Sequence, residues 1–184
     1  MNLPIVGVVA SGTESNEPEH GRKAQEIGEW LASEGVHLLT GGGGGLMMAV
    51  SRAFYEQPHR RGLVIGVLPC VKDDPKTPKK NYPNKWVEIP IYTHLPLSGP
   101  EGGELLSRNH INVLTSQVII ALAGGEGTLS EVKLAVTYKR PVVAYVDSPA
   151  DIPGLPYGIP IYQQIGAVQR FVRVKLRTSR PGST

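Results

Sequence analysis

The chain has 184 residues, 40% of them hydrophobic and 19% charged, with 22 Gly and 16 Pro. That is the make-up of one globular domain rich in turns, not of a disordered or fibrous chain. A net charge of +3 is too small to mark a nucleic-acid footprint without a clustered patch, and it suits a small anionic ligand. A single Cys70 excludes an intrachain disulfide framework, and no apolar run approaches the ~18 residues that cross a bilayer. Met1-Asn2-Leu3-Pro4 lacks the regions of a secretory signal. A reducing cytoplasm is the expected setting, with no membrane and no nucleic acid among the partners.

In chain order, Ile5 to Val9 is a short β-branched run, and a polar loop carries it through Ser11, Gly12 and Pro18 into a helical pattern. Ala24, Ile27 and Leu31 keep helical spacing, Gly35 stands where a left-handed residue ends a helix, and Val36 to Leu39 reads as a second strand. Beyond Gly41 to Gly45, a helix starts at Leu46-Met47-Met48-Ala49-Val50, and Leu63 to Leu68 is a third strand closed by Pro69. Weaker signals place a strand at Trp86 to Ile91 and a helix from about Glu104 to Leu114. A strand at Val118 to Leu122, a helix at Leu129 to Tyr138 and a strand at Val142 to Tyr145 follow. This alternation predicts a single α/β domain over residues 1–176, Rossmann-like and doubly wound. Its sheet is mostly parallel, with helices on both faces and ligands beyond the carboxyl ends of the strands.

Two stretches break the rhythm and read as surface insertions: Cys70 to Lys85, with Lys72, Lys76, Lys79 and Lys80, and the Pro- and Gly-rich Ser148 to Pro160. Arg170, Arg173, Lys175 and Arg177 partly alternate with Phe171, Val172, Val174 and Leu176, which reads as a final edge strand with a charged face. Residues 177–184 are polar and read as a flexible tail or a cloning remnant.

The loops after strands hold the chemistry. Thr40-Gly41-Gly42-Gly43-Gly44-Gly45-Leu46-Met47 joins a strand to a helix. Without Cβ atoms its backbone can approach a phosphate, and the unpaired N–H groups of the next helix add partial positive charge. The alternative is a plain flexible turn. Neither the dinucleotide spacing Gly-x-Gly-x-x-Gly nor a P-loop fits, because Leu46 takes the last glycine's place and no Gly-Lys pair exists. Ala123-Gly124-Gly125-Glu126-Gly127-Thr128-Leu129-Ser130-Glu131 is a second strand-to-helix loop. There Thr128 and nearby N–H groups would hold another oxyanion. Thr128 and Glu131 also have the spacing of a capping box, so Glu131 has a purely structural reading as well.

The pattern Gly-Gly-x-Gly-Thr-x-x-Glu after a strand, preceded by a Gly-rich loop with Leu-Met, resembles the Lonely Guy superfamily over roughly residues 5 to 146. Members include cytokinin-activating phosphoribohydrolases and molybdenum cofactor carrier proteins, all with Rossmann-like folds. In the enzymes the motif's glutamate pairs with an arginine of the preceding helix, which corresponds here to Glu131 and Arg108. For a phosphoribohydrolase, the resemblance implies that these two would be catalytic in N-glycosidic cleavage of a nucleoside 5′-monophosphate through an oxocarbenium-like transition state. The alternative is a structural salt bridge.

Three departures favour the carriers: Ala123 replaces the motif's usual proline, Ser107-Arg108-Asn109 replaces Glu-Arg-Lys, and the first loop is one residue short. The leading expectation is a molybdenum cofactor carrier that binds a phosphate-bearing pterin non-covalently and passes it to molybdoenzymes. The resemblance also implies a homodimer or homotetramer. The expected ligand contacts are Ser11, Gly12, Thr40, Gly41, Gly42, Gly43, Gly44, Gly45, Leu46, Met47, Arg108, Asn109, Gly124, Gly125, Glu126, Gly127, Thr128 and Glu131. No protein-built metal site is expected, since His20, His37, His59, His94 and His110 show no zinc spacing and Cys70 reads as a small buried hydrophobe.

Overall fold

The computed structural model describes residues 3–178. Its seven-stranded sheet contains β1 (Ile5–Val9), β2 (His37–Thr40), β3 (Val64–Leu68), β6 (Ile89–Tyr92), β7 (Val118–Ala121), β8 (Val142–Tyr145) and β9 (Ile161–Tyr162). The order is β6-β3-β2-β1-β7-β8-β9 and every pairing in it is parallel. The chain starts at the centre, winds outward through β2 and β3, and returns to lay β7 against the other side of β1. The strand order therefore reverses between β1 and β7, where the loops leaving the two strands diverge and open a crevice.

Helices cover both faces, because each face of a buried parallel sheet must be shielded from water. On one, α1 (Pro18–Ser33), α2 (Gly45–Tyr55) and α5 (Ile165–Thr178) bury Ile27, Leu31, Val50, Phe54, Val168 and Val172 against Val6, Val8, Leu38 and Ile120. On the other, α3 (Asn109–Thr115) and α4 (Glu126–Thr137) set Val113, Val132 and Ala135 against Val9, Ile119 and Ala144. Lys23 on α1 is 2% exposed, and its ammonium lies 3.0 Å from the Asp147 carboxylate and donates to the Gln163 carbonyl at 3.3 Å. It ties α1 to the segments after β8 and β9.

Three sequence expectations change. The final edge strand is instead α5, because Val168 and Val172 are spaced by one helical turn and both turn inward; the period is four, not two. The helix also runs through Arg177 and Thr178, while residues 179–184 of the expected tail lie outside the described residues. The helix expected from Glu104 begins only at Asn109. Ser107 pairs with Leu97 in a parallel bridge, and its hydroxyl accepts the Asn109 N–H at 3.2 Å, so the preceding residues cannot join the helix. Finally, the lysine-rich insertion is partly ordered as a hairpin of β4 (Cys70–Val71) and β5 (Asp74–Pro78). No helix among the described residues is long and apolar enough to cross a membrane.

Candidate functional site

A cavity of about 410 Å³ opens beyond the carboxyl ends of β1 and β7. Its walls come from Ala10, Ser11, Gly12 and Thr13 after β1, from Arg108 and Asn109 at the start of α3, and from Gly125, Gly127, Thr128 and Glu131 at the start of α4. Met47, Tyr82, Ser98 and Gly99 complete it. A larger depression of about 600 Å³ lies between the outer surfaces of α1 and α2, with Gly45 and Leu46 of the first glycine loop at its edge. The smaller cavity brings together the residues that carry chemistry.

Gly125 caps α4 with its backbone and no side-chain bond, so Thr128 is the third residue of the helix rather than its cap. The first intrahelical bond of that helix is donated by Leu129 to the Gly125 carbonyl at 3.0 Å, which leaves the N–H groups of the opening turn directed outward. Thr128 is 2% exposed, and its hydroxyl is buried with no hydrogen-bond partner among the described residues. Such an orphan costs about 1–3 kcal/mol unless something fills its place.

Arg108 and Glu131 meet as the family resemblance implies: Nη1 lies 3.2 Å from Oε1, with the two side chains 5% and 7% exposed. The same Nη1 donates to Asn109 Oδ1 at 2.8 Å, and Asn112 Nδ2 donates to Glu131 Oε1 at 2.7 Å. Glu131 thus serves an ion pair, not a helix cap. Burial pushes its carboxyl above the usual range, against the opposing pull of the Arg108 charge and the Asn112 amide. Arg108 Nε is also buried without a partner. Asn109, in turn, donates from Nδ2 to Ser130 Oγ at 2.9 Å, which fastens α3 to α4.

The first glycine loop lies mostly outside the lining of this cavity. The N–H groups of Leu46 and Met47 at the start of α2 point to the Ser11 carbonyl, at 3.0 and 3.4 Å. Thr40, Gly41, Gly42, Gly43, Gly44, Gly45 and Leu46 stand behind the cavity wall, and only Met47 of this stretch reaches it. The glycines clear space for neighbours. A Cβ on Gly41 would stand 2.8 Å from Arg108 Cζ, and one on Gly43 would stand 2.7 Å from Met47 Cε and 2.9 Å from Tyr82 Oη. Gly45, at φ 55°, passes under the Thr13 carbonyl. Of the second loop, Gly124 is engaged with the Asp151 carbonyl at 2.9 Å and Glu126 is exposed, neither lining the cavity.

Ala10, Thr13, Tyr82, Ser98, Gly99 and Asn112 were not legible from the sequence as site residues. Asn112 follows Arg108 by four positions and could have been found as its neighbour one helical turn on. Tyr82 lies in a Pro- and Lys-rich insertion with no periodicity to mark it.

The family described as the SLOG cluster4 family matches residues 3–156. A protein of Archaeoglobus fulgidus with no described function is 32% identical over 155 residues, 84% of this chain and 87% of that one. Among solved structures, the molybdenum cofactor binding protein of the phototrophic bacterium Rippkaea orientalis is similar with a TM-score of 0.73 and 31% identity, over 96% of this chain and 99% of that one. The Moco carrier protein of Chlamydomonas reinhardtii gives 0.71 and 29% over the same shares. DNA processing protein A of Helicobacter pylori, at 0.60 and 19% identity over 95% of this chain and 82% of its own, shares the fold alone. With its second motif loop at the reversal of a parallel sheet and this match over most of its length, the chain belongs to the SLOG cluster4 family.

Proposed function

We propose that this protein binds the molybdenum cofactor non-covalently and protects it, breaking no bond in it. The observation that carries the reading is the Thr128 hydroxyl, buried and unpartnered among the described residues, on a residue that lines the cavity at the opening turn of α4. The cofactor's phosphate would accept from this hydroxyl and the adjacent N–H groups, favoured by the partial positive charge of the helix start. Arg108, held in place by Glu131 and Asn109, adds a buried cation to the same wall. Ser11, Gly12, Met47, Gly125 and Gly127 are assigned as further contacts, with Thr40 and Gly41 to Leu46 in a supporting role. Similarity near 30% to a molybdenum cofactor binding protein and a Moco carrier protein, over nearly the whole chain, favours a pterin over other phosphate-bearing ligands.

In this reading the protein works in the cytoplasm as a homodimer or homotetramer and delivers the cofactor to molybdoenzymes. Exposed Leu105, Leu106 and Val136, beside α3 and on α4, are the apolar surface a second copy would cover. The test is to mix purified protein with the molybdenum cofactor and follow both on gel filtration. Co-elution with slowed cofactor oxidation is expected; separation of the two with oxidation at the free rate rejects the reading.

A second reading, a nucleoside 5′-monophosphate phosphoribohydrolase, is favoured by one observation. Glu131 lines the cavity with Oε1 held by Arg108 and Asn112, while Oε2 makes no hydrogen bond among the described residues. That oxygen would stabilise developing positive charge on the ribose or orient water. Chromatography of free base after incubation with a panel of monophosphates decides it: release that Glu131→Gln abolishes establishes the enzyme, and no release leaves the carrier.

A further inference from the structure

Tyr82 belongs to the lysine-rich insertion between β3 and β6, and the structure folds that insertion onto the cavity. Beyond the β4–β5 hairpin the chain reverses through Lys79-Lys80-Asn81-Tyr82. The Tyr82 N–H donates to the Lys79 carbonyl at 3.1 Å, and Asn81 takes the left-handed conformation, φ 68°, that asparagine tolerates in turns. Both flanks of Tyr82 are anchored. On one side the Lys79 N–H donates to the Pro69 carbonyl at 2.9 Å and its ammonium to Ser98 Oγ at 2.9 Å. On the other, Asn84, only 6% exposed, donates from its backbone to the Gly42 carbonyl and from its side chain to the Gly43 carbonyl, both at 2.8 Å. These bonds hold the phenol in the space that a side chain at position 43 would need, next to Met47.

Tyr82 Oη makes no hydrogen bond among the described residues, although the ring lines the cavity. A tyrosine fixed by its neighbours, with its hydroxyl unspent and an apolar body beside a methionine, is suited to a flat ring that carries polar edge atoms. The opening turn of α4 supplies other parts of the same cavity.

We propose that Tyr82 is a specificity-determining residue that reads the planar nitrogen heterocycle of the ligand, while the start of α4 holds the phosphate. The ring contributes face or edge contact, and Oη hydrogen-bonds the heterocycle's polar edge. This rests on the reading that the cavity takes a phosphate-bearing heterocycle, and it goes further by naming the residue that selects the heterocycle over phosphate alone.

The test is fluorescence titration of the full chain with 6-hydroxymethylpterin monophosphate, with inorganic phosphate as competitor and AMP as a second heterocycle. Tyr82→Ala is expected to weaken the pterin phosphate roughly 10-fold or more, in line with loss of an aromatic stacking partner, and to leave phosphate competition as in wild type. Tyr82→Phe should recover most of the loss, the remainder measuring the hydroxyl. Thr128→Val should weaken both probes. Equal binding of the pterin phosphate by Tyr82→Ala and wild type overturns the proposal while sparing the carrier reading. Equal weakening of pterin phosphate and phosphate also overturns it, since the residue would then support the cavity as a whole. Failure of wild type to bind the pterin phosphate, with Tyr82-dependent binding of AMP, removes the carrier reading and sustains the role of Tyr82.

Discussion

Gly41 and Arg108 are in contact, with no room between the glycine's backbone and the guanidinium for even a methyl group: a Cβ at position 41 would lie 2.8 Å from Cζ and closer still to Nη2. The first glycine loop is thereby coupled to the Arg108–Glu131 pair, which belongs to a different pair of elements. Gly41→Ala is expected to displace the guanidinium and to destabilise the fold by about 1–3 kcal/mol, the usual effect of overpacking. Loss of ligand retention should accompany a lower urea midpoint. An alanine variant with unaltered midpoint and retention would show that Arg108 can move freely.

Thr128→Val separates binding from stability. The substitution keeps the shape and removes a buried hydroxyl that has no partner, so the free protein should be as stable as wild type or more so, by up to about 1–3 kcal/mol. Affinity for a phosphate-bearing ligand should fall. A lower denaturation midpoint with unchanged affinity would make the hydroxyl structural.

Glu131→Gln gives a pH-dependent result. Burial raises the folded-state pKa of the carboxyl, so the folded protein holds this proton more tightly than the unfolded chain. That contribution to stability is complete below the unfolded value, about 4.5, and is lost as pH rises through the folded value. Glutamine does not titrate. The variant should therefore gain stability relative to wild type between acidic and neutral pH, although it would lose any base-releasing activity. Urea midpoints of both proteins at pH 4.5 and 7.5 check this; a gap that moves the opposite way would show the Arg108 charge winning over burial.

The opposite sign applies to Glu34, which secures α5. Its carboxylate accepts from Arg173 and from Trp30 Nε1, the latter at 2.7 Å, and the Arg173 hydrogen bond chiefly holds its pKa below the ordinary range. This stability is present above about 4.5 and is lost as pH falls through the folded value. Arg173 is 48% exposed, so solvent screens the pair and the gain is small. Arg173→Gln should flatten the acid limb of the stability profile, with Trp30 fluorescence as the reporter.

The order of most strands and helices was legible in the chain, and the pairing of Arg108 with Glu131 was implied by the family resemblance. Periodicity and β-branched runs identify elements locally, and the second motif holds its glutamate at a fixed distance from a strand end. The SLOG cluster4 match agrees with that reading of the fold. Less legible were elements whose pattern was short or mixed. Arg170 to Arg177 alternates well enough to imitate a strand, and only the burial of Val168 and Val172 against the sheet makes it a helix.

Local sequence fixes which backbone groups can be left unpaired, which is why both glycine loops stand out as sites of close approach. What the approaching group is depends on long-range packing. The carbonyl of Ser11 takes the first N–H groups of α2, the guanidinium of Arg108 fills the space over Gly41, and the Tyr82 phenol fills that over Gly43. At α4 the Thr128 hydroxyl, packed against Gly124, has no hydrogen-bond partner among the described residues. Two loops of similar composition thus differ because one is filled by protein groups distant in sequence and the other still faces a cavity.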